Sequence, residues 1–236
     1  MRYVFCTIAI GEKYVSNVLN LINQLNDHSN KHHFVVVTDD ETIKADNTSF
    51  IIINKDTKLF IQNSFNYNLK YLPIKISSEM DFDYVIFIDA DWSLSDGYSH
   101  DKIIQVLTFM ENNEYDFCFE RPHLIGHGKT QDDLIFWKHK RDFYDLLNTN
   151  QFDDGHVVNE QFLIFKNNQK LKTFALFWES LCDKATKGDL WGFAEGVEIG
   201  MSASVSKMKY EYYGWQKILT NCFNFTTVSG IFYNRF

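Results

Sequence analysis

Apolar residues along the chain fall into short unbroken runs that alternate with segments where they recur every three or four positions. Residues 3–10 form such a run, rich in β-formers and ended by Gly11, which predicts a buried first strand. Tyr14, Val18, Leu21, Ile22 and Leu25 follow at helical spacing before the polar stretch 27–31, so an amphipathic helix comes next. Residues 34–37 and 50–53 read as two further strands, the first ending at Thr38-Asp39-Asp40. A partly helical pattern spans 65–80, bent or restarted at Pro73. The continuous apolar strand 84–88 then runs straight into Asp89-Ala90-Asp91. Ile103, Ile104, Leu107 and Met110 mark another helix, and 116–120 another strand.

Strand and helix alternating over residues 1–120 predict an α/β fold, an open and mostly parallel twisted sheet flanked by helices. Such sheets bind ligands at the carboxyl ends of their strands. The second half is less regular: 134–147 and 171–181 have helical patterns around a strand at 162–165. Val197, Met201, Val205 and Met208 place an apolar stripe on a helix that opens near Glu195. The last 28 residues are aromatic without clear period and give no assignment. No repeat or low-complexity linker divides the chain, so one domain over 1–236 is expected.

Composition narrows the function more than the fold. At 236 residues, 45% hydrophobic and 17% aromatic, the chain can bury a core without staples. Its 23 basic and 31 acidic residues leave a charge of −8 with no Lys/Arg block, which argues against nucleic acid or an anionic membrane as principal partner. Cys6, Cys118, Cys182 and Cys222 make no C-x-x-C and read as buried, reduced thiols. Apolar runs stop well short of the ~18 residues of a membrane span. A soluble, cytoplasmic protein is expected.

The chemistry concentrates at Asp89 and Asp91. Two acids at i and i+2, delivered by a buried strand, repel each other and raise each other's pKa unless something compensates them. Mg²⁺ or Mn²⁺ would do so, because such hard cations take carboxylate oxygens and leave positions for substrate phosphates. The plainer alternative is that Asp89 caps a turn and Asp91 is solvated.

The segment 84–92 resembles the D-x-D motif of glycosyltransferases with the GT-A (nucleotide-diphospho-sugar transferase) fold. Residues 7–14, Thr-Ile-Ala-Ile-Gly-Glu-Lys-Tyr, resemble the first strand-to-helix loop of that family, which implies that Ile8, Ala9, Ile10 and Tyr14 enclose the nucleobase. Val37-Thr38-Asp39 resembles the end of its second strand, and Lys70 stands where a basic side chain reaches the nucleotide sugar. The resemblance implies that residues 1–120 bind the nucleotide sugar, a UDP-hexose, and that 121–236 bind a saccharide acceptor. It also implies Mn²⁺ or Mg²⁺ on Asp89 and Asp91; with no membrane anchor seen in the sequence, a cytoplasmic enzyme of bacterial or viral type is expected. The retaining families six (blood-group and α-1,3-galactosyltransferase) and eight (glycogenin-like) are nearest. Family eight carries a metal-binding His near the C-terminus, and no His follows His156 here, so family six fits better.

Glycosyl transfer also needs a carboxylate near the anomeric centre. Glu195 and Glu198 lie one turn apart, on one helix face. Glu198 is preferred because residues 196–199 stand where family six has its His-Asp-Glu-Ser signature. Acids in a first turn also satisfy the helix dipole, which is the alternative for both. For the acceptor, the candidates are His123, Asn159, Glu160, Gln161 and Trp191, with Trp137 and His156 behind them. In the tail, Lys207, Lys209, Lys217 and Arg235 with Tyr212, Tyr213 and Trp215 are candidates to close over the diphosphate. Two rival readings remain: a haloacid-dehalogenase-like phosphatase with Asp89 as nucleophile and Asp91 as general acid, and a catalytically silent nucleotide-sugar-binding module. Nucleotidyltransferases share the sheet order, but their Gly-rich N-terminal loop is missing.

Overall fold

The first strand, β1 (Tyr3–Ala9), is buried at all seven positions, and its alternate side chains enter two separate cores. Tyr3, Phe5 and Ala9 face one, while Val4, Cys6 and Ile8 face the other. A computed structural model of the chain describes residues 1–28, 32–53, 69–123, 157–187, 195–211, 214–219, 221–226 and 232–235. After β1 come α1 (Glu12–Asp27), β2 (His33–Thr38), β3 (Thr48–Ile52), α2 (Tyr71–Ser78), β4 (Tyr84–Ile88), β5 (Trp92–Leu94) and α3 (His100–Asn112). Then follow β6 (Phe117–His123), β7 (Val157–Lys166), α4 (Gln169–Lys187), α5 (Glu195–Val205), β8 (Tyr210–Glu211), a short 3-10 turn (Trp215–Lys217), β9 (Phe223–Thr226) and β10 (Phe232–Arg235).

Seven strands form one sheet in the order β3-β2-β1-β4-β7-β6-β8. β7 runs antiparallel to both β4 and β6, while the other pairings are parallel. The sheet is therefore mixed but mostly parallel, with helices on both faces. Val18, Leu21 and Ile22 of α1 and Ile103, Val106 and Leu107 of α3 fill the core that holds Phe5. Tyr71 and Ile74 of α2, Phe174 and Trp178 of α4 and Ile199 of α5 fill the core that holds Val4. A second, three-stranded antiparallel sheet, β10-β9-β5, ties the end of the chain to the segment after the acids.

Most expected elements of the first half appear within a few residues of their predicted ends. Pro73 falls in the first turn of α2, where a missing N–H costs no intrahelical bond. Asn168 starts α4 by accepting from the Lys170 and Leu171 amides at 2.9 and 3.2 Å. Two features differ from the expectation. The strand expected at 162–165 is the inner part of a ten-residue β7 that opposes its neighbours. The tail left unassigned holds β8, β9 and β10, which are too short and too weakly patterned for periodicity to show. The helix expected at 134–147 and residues 65–68 lie outside the described residues. All four cysteines are buried and form no disulfide, and among the described residues no helix is long and apolar enough to cross a membrane.

At the amino edge of the sheet, Tyr3, His32, Tyr98 and His100 are joined by hydrogen bonds. Tyr3 Oη lies 3.1 Å from His32 Nδ1 and 2.7 Å from His100 Nδ1, and Tyr98 Oη lies 3.4 Å from His32 Nε2. His32 is 5% exposed. Burial first, then the neighbouring His100 and His28, push its pKa down from 6.5 to about 4. The unfolded chain therefore binds the proton more tightly, and the neutral ring's contribution is present above pH 6.5 and lost as pH falls towards 4. Acid melts should show this loss, on the order of 3 kcal/mol when complete. His32→Gln keeps a donor and an acceptor but cannot titrate, so it should flatten the slope between pH 6.5 and 4. An unchanged slope would assign the acid sensitivity to other groups.

Candidate functional site

The strand β4 is buried at every position and has β1 and β7 on its two sides, so Asp89 is the first place where the chain carries a charge out at the carboxyl rim. Its backbone is fixed from both directions. The Asp89 amide donates to the Gln161 carbonyl at 3.0 Å, and the Asp89 carbonyl accepts from the Trp92 amide at 3.2 Å. Trp92 is itself held in the core, stacked on Phe162 at 5.5 Å between ring centroids and packed on Phe223 at 5.8 Å. The turn that carries Asp89 and Asp91 is thus anchored to β4, to β7 and, through β5, to the tail.

Lys70, just before α2, meets this turn. Its side chain is 6% exposed and that of Asp89 16%, and Lys70 Nζ stands 3.0 Å from Asp89 Oδ1 and 3.3 Å from Oδ2. The ammonium engages both oxygens of one carboxylate, and lies 5.8 Å from the centroid of the Phe87 ring. Pairing at this depth balances a desolvation cost that neither charge would bear alone. The sequence separates Lys70 from Asp89 by nineteen positions, and the fold brings them into contact.

Two neighbouring strand ends complete the rim. Ala9 is in register with Thr38, and the Gly11 amide donates to Asp39 Oδ1 at 2.9 Å. Gly11 has φ +86°, a left-handed value that a residue with a side chain rarely adopts, and a Cβ there would meet nothing within 4 Å. Main chain at the end of β1 therefore faces open space. The side chains of Ile8, Ala9 and Ile10 are buried, so these residues offer a ligand only their backbone. Tyr14 is 36% exposed on the first turn of α1, with Lys13 Nζ 5.5 Å from its ring centroid. The helical stripe places Tyr14 inward; Val15 occupies that position instead, which leaves the Tyr14 ring exposed.

Among the acceptor candidates, Gln161 lies directly beside Asp89 through its carbonyl. Backbone pairing of Asn159 with Glu120, and of His123 with Val157, carries β6 and β7 past Asp89 as a two-stranded arm. For His123, Asn159, Glu160 and Glu195 only the backbone is described, and Trp191, Trp137 and His156 lie outside the described residues.

Glu198 is placed elsewhere. Its carboxylate is fully buried between α5 and α4, where Oε2 accepts from Trp178 Nε1 at 2.8 Å and from Cys182 Sγ at 3.2 Å. Oε1 has no hydrogen-bond partner among the described residues. A group in contact with a reacting sugar has to be reachable, and this one is enclosed by protein. The stripe of acids on one helix face gave no sign of it, because Trp178 and Cys182 come from a different helix. The tail lysines are also displaced: Lys209 donates its amide to Asp116 Oδ2, just before β6, and its ammonium to the Asn113 carbonyl at the end of α3, at the rim opposite Asp89. Lys207 lines a cavity with Phe117 and Met208, and Trp215 is a core residue whose Nε1 donates to the Phe119 carbonyl at 3.3 Å. Lys217 is exposed on the 3-10 turn, Tyr212 and Tyr213 lie outside the described residues, and Arg235 is described in its backbone only.

Asp39 and Gly11 are the rim residues that carry a contact the sequence did not single out as a site. A left-handed glycine after one strand and an acid after the next were the available signals. Asp89 and Asp91 supply two hard oxygen donors, a set that suits Mg²⁺ or Mn²⁺ with substrate oxygens completing the shell. Among the described residues no group of three or more His, Cys, Asp or Glu side chains gathers as a metal site.

Burial, opposed by the bonds from Trp178 and Cys182, pushes the Glu198 pKa up from 4.5 to about 7. The folded state then holds the proton more tightly, so stability is lost as pH rises from 4.5 towards 7. Glu198→Gln removes the charge and should be more stable than the parent at pH 8, by about 2 to 4 kcal/mol, with the two melting curves converging below pH 4.5. Equal stability at pH 8 with a hundredfold loss of turnover would return the residue to a catalytic role.

No family model matches the chain, and none of the curated proteins matches its sequence.

Proposed function

We propose that this chain is a metal-dependent glycosyltransferase of the GT-A type, a single domain that moves a hexose from a UDP-sugar to a saccharide or another hydroxyl acceptor with retention. The observation that carries the reading is the Lys70–Asp89 contact at the carboxyl rim, two positions before Asp91 and on the same edge as the open backbone at Gly11. What supports the reading is that two acids, an ammonium and open backbone lie along the carboxyl rim of a mostly parallel sheet, the rim where such sheets take ligands.

In the transfer, the bond from the anomeric carbon to the diphosphate oxygen breaks, a bond to the acceptor oxygen forms, and the acceptor hydroxyl gives its proton to the departing diphosphate oxygen, which keeps the electron pair of the broken bond. Asp89 and Asp91 would hold Mn²⁺ or Mg²⁺, which when bound neutralises the charge developing on the departing diphosphate. Lys70, fixed by its surroundings, presents an ammonium whose donors need little reorganisation to meet a phosphate oxygen. The backbone around Ala9 and Gly11 and the exposed ring of Tyr14 take the base. The arm of β6 and β7, with Gln161 at its root, takes the acceptor. Glu198 supports α5 from within the core, which leaves Glu195, at the start of that helix, as the remaining candidate for the carboxylate under the sugar.

Calorimetry with UDP and Mn²⁺ tests the reading. The parent should bind UDP in a metal-dependent way, Asp91→Asn should weaken that binding severalfold or more, and a slow Mn²⁺-dependent hydrolysis of one UDP-sugar should appear in a donor panel. Unchanged UDP affinity in the Asp89→Asn/Asp91→Asn variant with metal present would overturn it. Turnover of a simple aryl phosphate lost in Asp89→Asn, without any nucleotide binding, would favour the phosphatase.

A further inference from the structure

Tyr98, His32, Tyr3 and His100 form a hydrogen-bonded row at the amino edge of the sheet, away from Asp89, and the number of donors in it limits how its protons can be arranged. Burial raises the pKa of both phenols, so each keeps its one proton. Tyr3 Oη meets two imidazole nitrogens, His100 Nδ1 at 2.7 Å and His32 Nδ1 at 3.1 Å, and a phenol can donate to only one of them. The other nitrogen must carry a proton and donate to Oη. Hydroxyl donors make shorter bonds than N–H donors, so Tyr3 donates to His100 and His32 donates from Nδ1 to Tyr3. His32 Nε2 is then a bare acceptor for the Tyr98 hydroxyl at 3.4 Å. With the opposite polarity His32 would donate from Nε2 to Tyr98 Oη, and the buried Tyr98 hydrogen would lose this acceptor. The neutral row therefore runs one way, from Tyr98 through His32 and Tyr3 to His100.

His32 resists a charge, because burial and then the neighbouring His100 and His28 disfavour it. His100, half-buried on the first turn of α3, is the open end of the row. The other titratable groups around it are His28 at the end of α1, whose ring centroid lies 5.1 Å from that of Tyr98, Cys222 beside Tyr98, and Asp101 next along α3. When His100 takes up a proton both of its nitrogens carry hydrogen, and Nδ1 has to donate to Tyr3 Oη. The Tyr3 hydrogen then turns to His32 Nδ1, which must be bare to accept it. His32 stays neutral by carrying its proton on Nε2. One proton enters from water, and only N–H and O–H bonds are exchanged along the row.

We propose that Tyr3 is a relay through which the tautomer of buried His32 follows the protonation of His100, a pH-sensitive switch in the hydrogen bonds that join β1, the residue before β2 and the start of α3. With His100 neutral the His32 proton is on Nδ1. With His100 charged it is on Nε2, and the Tyr98 hydrogen is released from the ring. The amino edge thus responds to pH before His32 itself is charged, and independently of the site at Asp89.

Long-range proton–nitrogen correlation spectra of the full chain tell the charged ring and the two neutral tautomers apart, and His32→Gln and His100→Gln assign the two rings. Between about pH 8 and 5, His32 should pass from the Nδ1–H to the Nε2–H form in step with the charging of His100. In Tyr3→Phe the relay is gone, so His100 should still titrate while His32 no longer follows it. In His100→Gln, His32 should keep one tautomer over the same range. A His32 ring that holds one tautomer while His100 titrates in the parent, or becomes charged together with it, overturns the proposal. So does a tautomer change that persists in Tyr3→Phe. Should that variant fail to fold by circular dichroism, His100→Gln decides alone, and a tautomer change that persists there overturns the relay.

Discussion

A strand buried on both faces can carry charge only at its ends, and the central part of this molecule is organised around that constraint. β4 has β1 on one side and β7 on the other, with helices above and below, so each of its side chains is committed to a core. Asp89 is forced to the rim by the same burial that makes the strand form. The burial also fixes where the carboxylate sits, because the end of a packed strand has little freedom to move. Lys70 can then be enclosed beside it without leaving an uncompensated charge.

The same constraint explains what the sequence revealed. β1, β2 and β4 are continuous apolar runs, and a parallel arrangement brings their carboxyl ends to one edge, so the acids and the Gly11 turn are legible as neighbours in the sequence. Lys70 is named by resemblance alone, since a helix start nineteen positions before Asp89 approaches the rim only through tertiary packing. β7 was harder still. Its inner residues read as a strand, but an apolar run carries no information on direction, and its antiparallel course is what brings Gln161 to Asp89. β5 and β9 are short, and their pairing is specified by partners more than a hundred positions apart.

Glu195 and Glu198 show where a periodicity rule stops. One turn of helix puts two acids on one face, but a face can look to solvent or to another helix. At Glu198 it meets α4, and the carboxylate is absorbed by Trp178 and Cys182. A buried acid with one oxygen lacking a partner is costly to the fold, and its raised pKa is the form that cost takes. Proximity to a family signature identified the residue; only the environment decides what its carboxylate touches.

The acids also depend on the far end of the chain. Trp92, immediately after Asp91, is stacked on Phe162 of β7 and packed on Phe223 of β9, while Phe162 stacks in turn on Trp215 at 5.7 Å. Aromatic side chains of this size dominate the packing around them and tolerate little displacement. The turn at 89–92 is therefore positioned by contacts from two segments that lie well beyond it in the sequence. Core residues distant in sequence thereby fix the turn that carries Asp89 and Asp91, and the second, small sheet braces that turn through β5.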